Sequence, residues 1–227
     1  MNEIRKYSAG ALSQGRQLWR TLLFVYLAIG LLFVGVGFLS QVVNGASLEF
    51  FLRDIVATGK LPFFAGFVSQ IGAMLWCASL TVCLFSLLIL HRRNGSLASS
   101  KRFLLHAAVL TGVLLLDDIF LFHEEVAPFY LHIPEKLVIA GYLLLGIVFV
   151  VLNRNEILSS EYLLFLLALA LLGTSVLLDA LPIDDFGLRY FFKQLEIFLE
   201  DGFKFAGITT WLIYFIRYAA QKIDPLR

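Results

Sequence analysis

Six apolar runs, each close to the length that crosses a bilayer, leave this chain little choice of fold. A segment lying in hydrocarbon must satisfy its own backbone N–H and C=O groups, which a helix does within one stretch of chain. Roughly 20 residues are needed per crossing. The runs occupy residues 20–43, 61–90, 103–124, 136–153, 162–181 and 194–218. The expected fold is therefore all-α: an integral membrane bundle of six transmembrane helices, forming a single domain over residues 1–227. The second run is long enough to tilt or to extend beyond the bilayer. The fourth is short and suits a place among other helices. Composition agrees, since 15% charged residues and a mean hydropathy of +0.84 fall far from the quarter or so charged residues of a soluble domain.

The loops orient the bundle. Arg5, Lys6, Arg16, Arg20, Arg92, Arg93, Lys101, Arg102, Arg154, Arg217, Lys222 and Arg227 fall on one side. Arg53, Lys60, Lys136, Arg189 and Lys193 fall on the other. Cytoplasmic loops carry the Lys/Arg excess, so both termini are expected in the cytoplasm. Residues 1–18 are polar and mixed in charge, and Thr21–Val43 exceeds a signal h-region, so the first run is expected to stay as a span. Neither end shows a lipidation motif. The net charge of +1 and the lack of a basic stripe with interleaved aromatics give no footing for nucleic acid. Cys77 and Cys83 lie in one apolar run, six residues apart, and point to different sides of a helix. They read as small buried hydrophobes. Trp76 and Trp211 lie well inside their runs and read as packing residues. Gly202, Ala206 and Thr210 form a small-residue stripe that suits close helix packing.

Two acidic clusters interrupt this grease. Asp117, Asp118, His123, Glu124 and Glu125 lie toward the outer end of the third run; Glu196, Glu200, Asp201 and Lys204 occupy the first turns of the sixth. Ionisable groups at membrane depth are costly, face protein or water, and mark functional sites. The stretch Gly202–Arg217 alone is too short to span about 30 Å at 1.5 Å per residue. The sixth helix must therefore submerge its acids. Asp179 ends the fifth run at a similar depth, and Lys204 is the one basic partner. Such a surplus of carboxylates invites a cation or shared protons.

One imidazole among carboxylates suits iron, zinc or manganese better than copper(I). The expected ligands are Asp118, His123, Glu124, Glu200 and Asp201, with Asp117, Asp179 and Glu196 behind them. Carboxylates and histidines projecting into a helical bundle are the ingredients of dinuclear sites, although no Glu-x-x-His copy is present. A bound metal could activate water or oxygen toward a lipid-like substrate beside the outer leaflet. Acids and a lysine in a bundle also make a proton or cation pathway, but the chain shows no inverted repeat or Gly/Pro-broken helix pair. His106, on the face of Asp117 and Glu124, reads chiefly as an interfacial histidine near the inner end beside Lys101 and Arg102, with extension of such a path inward as the alternative. A third alternative is an assembly or partner-binding subunit that packs through the Gly202/Ala206 stripe. Ordinary structure explains part of the pattern too: Glu196, Glu200 and Lys204 form an i, i+4, i+8 stripe, and Asp184 and Asp185 read as loop charges. No G-x-S-x-G, H-E-x-x-H, P-loop or dinucleotide glycine pattern occurs.

The Asp-Asp-x4-His-Glu of residues 117–124 and the Glu-Asp-x2-Lys of residues 200–204 resemble motifs of uncharacterised multi-pass bacterial membrane proteins. That resemblance covers two helices, implies a bacterial inner-membrane location, and brings no activity with it. Membrane ceramidases and progestin-receptor-like hydrolases also set carboxylate and histidine around zinc. They have seven spans and a His-x3-His on the last, both of which this chain lacks.

Overall fold

A computed structural model describes residues 2–43, 51–53, 55–92, 97–179 and 189–223; side chains at 2–18, 21–22, 57 and 189–194 are not described. Pro182, Asp184 and Asp185, and Arg93 and Arg227 of the charge count, lie outside the described residues. Among the described residues all regular structure is helical: seven α-helices and one π-helical turn. They are α1 (Asn2–Val42), α2 (Ile55–Thr58), α3 (Phe67–Arg92), α4 (Ala98–Phe120), α5 (Glu135–Leu158), α6 (Tyr162–Asp179) and α7 (Arg189–Ile223), with the π-turn at Phe122–Tyr130 between α4 and α5. Five helices are long and apolar enough to cross a membrane, at Leu23–Val42, Phe67–Arg92, Ala98–Phe120, Glu135–Leu158 and Tyr162–Asp179. The expected sixth run lies within the 35-residue α7, which is not one of these five.

The chain divides into two compact units, Met1–Ala65 and Gly66–Arg227. In the first, none of the Leu23–Val42 window is buried, so residues such as Phe24, Leu31 and Val34 stand fully open. Bare apolar side chains on a helix of this length are what a lipid-facing surface requires. The unit ends in a tight turn, where Gly59 and Leu61 N–H donate to Ile55 and Val56 C=O at 2.8 and 2.9 Å.

In the second unit α7 packs closely against α6 and α3, and α3 packs in turn against α4. Helix α5 touches α4, the π-turn and, sparsely, α6. Between helices in lipid there is little hydrophobic driving force, so dense packing has to hold them. Aromatic rings supply it: Phe103 of α4, Phe149 of α5, Phe165 of α6, and Trp211, Tyr214, Phe215 and Tyr218 of α7 are all buried. Their centroids lie between 4.8 Å (Phe103–Tyr218) and 6.4 Å (Phe103–Tyr214), within the range of favourable aromatic pairs. Polar bonds lock the helix ends below this layer. Glu156 of α5 accepts from Ser100 Oγ (2.9 Å) and Tyr218 OH (2.6 Å) and pairs with Lys222 (2.6 Å). Glu161, just before α6, accepts two bonds from Arg217 at 2.5 Å and one from Gln221 at 2.9 Å. His106 sits here as well, its Nδ1 3.2 Å from Asn153 Oδ1, so it belongs to the basic end of the bundle.

Close approach of α6 and α7 occurs at Gly207. A Cβ there would lie 2.7 Å from Leu172 Cγ and 3.0 Å from the Leu172 backbone N. Gly202 of the small-residue stripe has nothing within 4 Å of such a Cβ. The stripe is therefore real in sequence, but the contact lies on the neighbouring face. Gly207→Ala should destabilise the bundle by about 1–3 kcal/mol through overpacking, whereas Gly202→Ala should be neutral or stabilising by about 0.5–1 kcal/mol; thermal unfolding in detergent separates the two. The Glu161 clamp makes a pH prediction. Hydrogen bonds from Arg217 hold its carboxyl below its ordinary value of 4.5. A depressed folded value stabilises above the unfolded pKa, and that contribution fades as pH falls through the folded value. The pair is exposed and screened, so the effect is small. The stability gap between wild type and Glu161→Gln should narrow on acidification below about pH 4.5, read by unfolding at stepped pH.

Candidate functional site

Helix α4 stops at Phe120 because Leu121 takes left-handed backbone angles, φ 49° and ψ 46°. Such angles are uncommon for a residue with a Cβ and cluster where surroundings over-determine them. The chain then winds wider. Val126 N–H reaches Leu121 C=O (3.2 Å) and Leu131 N–H reaches Val126 C=O (3.3 Å), both five residues back, with Pro128 inside the turn. A regular helix would have sent His123 away from Asp117, and the turn brings it back. The backbone N–H of His123 donates to Asp117 Oδ1 at 2.9 Å, and its Nδ1 lies 2.6 Å from Oδ2. Tyr142 of α5 donates its hydroxyl to Oδ1 at 2.8 Å. Three donors thus hold a carboxylate that is 8% exposed, and the bond at Nδ1 leaves Nε2 as the ring's second working nitrogen. Nε2 lies 3.5 Å from Glu124 Oε1.

One residue on, Asp118 points to the other side and pairs with Lys204 of α7. Its side chain is only 6% exposed against 37% for Lys204, so the carboxylate is buried and the ammonium reaches in from the rim. Gly72 of α3 faces this pair, and a Cβ there would meet Asp118 Oδ2 at 4.0 Å and Ile208 Cδ1 at 3.5 Å, ordinary contact distances.

These groups rim a cavity of about 470 Å³, inside the roughly 300–1,000 Å³ range of small-molecule sites. Its floor is Trp76 and Trp211, edge-on with centroids 6.2 Å apart. The indole N–H of Trp211 is satisfied by Thr111 Oγ1 at 3.1 Å. Leu143, Gly146, Ile147 and Val150 of α5 form one wall, and Leu169, Leu172, Gly173 and Val176 of α6 the other. Leu143 and Ile147 line the cavity and are still 53% and 61% exposed. The cavity stays open along the sparsely packed seam of α5 and α6. At the mouth stand Asp117, Asp118, His123, Glu124, Asp179, Glu200 and Lys204.

The structure therefore gathers Asp118, His123, Glu124, Glu200, Asp117, Asp179 and Lys204 around one space. Asp201 is exposed and does not line it; Glu196 is buried and does not line it either. Among the described residues no three His, Cys, Asp or Glu side chains converge as a metal-holding group. Two candidate donors are engaged instead with His123 and Lys204. Sequence reasoning passed over Tyr142, whose signal was a lone hydroxyl inside the fourth apolar run. The tryptophans at the floor were taken for packing alone.

Fold and site together define a helical protein, with helices able to cross a membrane, around a polar-mouthed, apolar-floored cavity. The chain belongs to the family described as Domain of unknown function (DUF8692), whose model matches residues 15–218. No curated protein and no solved structure matches it.

The ion pair gives a direct test. Asp118→Asn or Lys204→Met alone should destabilise by about 1–3 kcal/mol, by leaving a group desolvated without its partner. The double variant should recover part of that loss, as a double-mutant cycle of thermal unfolding would show.

Proposed function

We propose that this is a six-span plasma-membrane protein, with α7 as the sixth crossing and both termini cytoplasmic, that admits a lipid-like amphiphile and moves a proton at its polar head. The observation that carries this reading is the Asp117–His123 pair at the mouth of an apolar cavity. The Lys/Arg bias places the Glu156 and Glu161 end inside and the cavity mouth at the outer leaflet. With Nδ1 held by Asp117, a neutral His123 presents the Nε2 lone pair. It takes a proton from an acidic or hydroxyl group of the head, and Asp117 stabilises the imidazolium that results. Tyr142 and the His123 backbone N–H keep the carboxylate oriented and do not exchange protons with the ligand.

A metal-assisted version would use iron, zinc or manganese on Asp118, His123, Glu124 and Glu200. It requires Lys204 to leave Asp118 first, so the observed pairing favours the metal-free reading. Transport is disfavoured by the close aromatic packing between the cavity floor and the Glu156 end, where ring centroids lie 4.8–6.4 Å apart.

Native mass spectrometry of protein in lipid nanodiscs tests the cavity. Wild type should retain a single-chain amphiphile, and Gly173→Phe, filling a space where nothing lies within 4 Å of a Cβ, should lose it while staying folded. Incubation with a host lipid extract, read by lipid mass spectrometry, tests the chemistry. His123→Gln should bind as wild type does and convert nothing. Retention by wild type and Gly173→Phe alike would overturn the cavity reading; conversion by His123→Gln at the wild-type rate would overturn the proton-transfer reading.

A further inference from the structure

We infer that the amphiphile this cavity takes is cationic: one alkyl chain whose head carries an ammonium beside the hydroxyl that meets His123. The inference rests on reading the cavity as an amphiphile site and adds the charge of its ligand.

Size limits the chain. If a water-sized group takes roughly 30 Å³, about 470 Å³ holds on the order of fifteen such groups. That is room enough for one alkyl chain. Depth agrees, since Glu200 at the mouth and Trp211 at the floor are separated by about 16 Å along α7 at 1.5 Å per residue. The walls between them are aliphatic, and the open seam of α5 and α6 lets a chain enter sideways.

Charge selects the head. The cavity is lined by five carboxylates and two basic side chains. Lys204 is engaged by Asp118, and His123 by Asp117. Glu124, whose carboxylate lies 3.5 Å from His123 Nε2, Asp179 and Glu200 carry the remaining negative charge. Glu124 and Asp179 are exposed and Glu200 half-buried, so a head held there keeps part of its hydration while its chain is dry. An anionic head would meet these carboxylates as like charges, at a cost to binding. A point ion needs donors converging at about 2.0–2.6 Å, and the described carboxylates do not converge. A methylated or primary ammonium is broad, and spaced carboxylates around its rim suit it. The tryptophan floor is too deep to meet the head and serves the chain end.

The test uses those tryptophans. In a Trp19→Phe background only Trp76 and Trp211 remain of the three, and chain-terminal bromine quenches them when a chain reaches the floor. Three probes share one dibromododecyl chain and differ in the head: trimethylammonium, hydroxyl and phosphate. Each is titrated into zwitterionic nanodiscs holding the full chain, and its bilayer concentration is measured. The ammonium should quench at about tenfold lower bilayer concentration than the alcohol, and the phosphate more weakly than either. In Glu124→Gln/Asp179→Asn/Glu200→Gln the ammonium advantage should vanish while the alcohol is unchanged, which also shows that the variant is folded. Equal quenching by all three heads would overturn the cationic ligand and leave the amphiphile cavity standing. No quenching by any chain, with Gly173→Phe indistinguishable from wild type, would overturn both. Stoichiometric manganese, zinc or iron held by the same three acids, with no ammonium preference, would overturn the inference in favour of a metal.

Discussion

A carboxylate cannot stay ionised at membrane depth without a partner, and the bundle is arranged around meeting that demand twice in adjacent residues. Asp118 is paired across to Lys204, which ties α4 to α7. Asp117 is paired back to His123 and across to Tyr142, which ties α4 to the π-turn and α5. Successive helix positions differ by about 100°, so the two aspartates recruit different neighbours. The helices they pull in are the ones that enclose the cavity, and the left-handed Leu121 is the backbone adjustment that lets the histidine reach its place.

The opposite end of the unit is built on another plan. Glu156, Ser100, Tyr218 and Lys222 form a closed polar knot, and the Glu161–Arg217 clamp seals α6 to α7. Above them the aromatic side chains fill the space between helices. Polar groups are bonded to one another at this end; at the other Asp117 and Asp118 are paired but border open volume. A rigid, dry half carrying a half-open one is an arrangement suited to holding a ligand at one face.

Much of the site was legible from residue types and spacing. Charges inside apolar runs signal themselves, and the Asp117/Asp118 and Glu200/Lys204 positions follow from helix periodicity and the span length. The partner choices were not legible. Lys204 was an evident cation, but only packing shows that it takes Asp118 rather than Glu200 four residues away on its own helix. His123 could not be assigned by periodicity, because the helix that carries the count ends at Phe120. Asp201 is adjacent to Glu200 in sequence, yet it turns out of the cavity. The close contact at Gly207 was likewise hidden by a more conspicuous stripe one residue away.

By itself the sequence determined that the chain forms long apolar helices and that two acidic clusters interrupt them. Both follow from local physics: backbone groups in hydrocarbon demand helices, and a charge in hydrocarbon demands a partner. The tertiary structure decided which partner each charge takes and where α4 breaks. It also decided that the sparse seam of α5 and α6 leaves a cavity where close packing would have left none. Those outcomes depend on distances between residues far apart in the chain, such as Asp117 and Tyr142 or Trp76 and Trp211, and no local pattern encodes them.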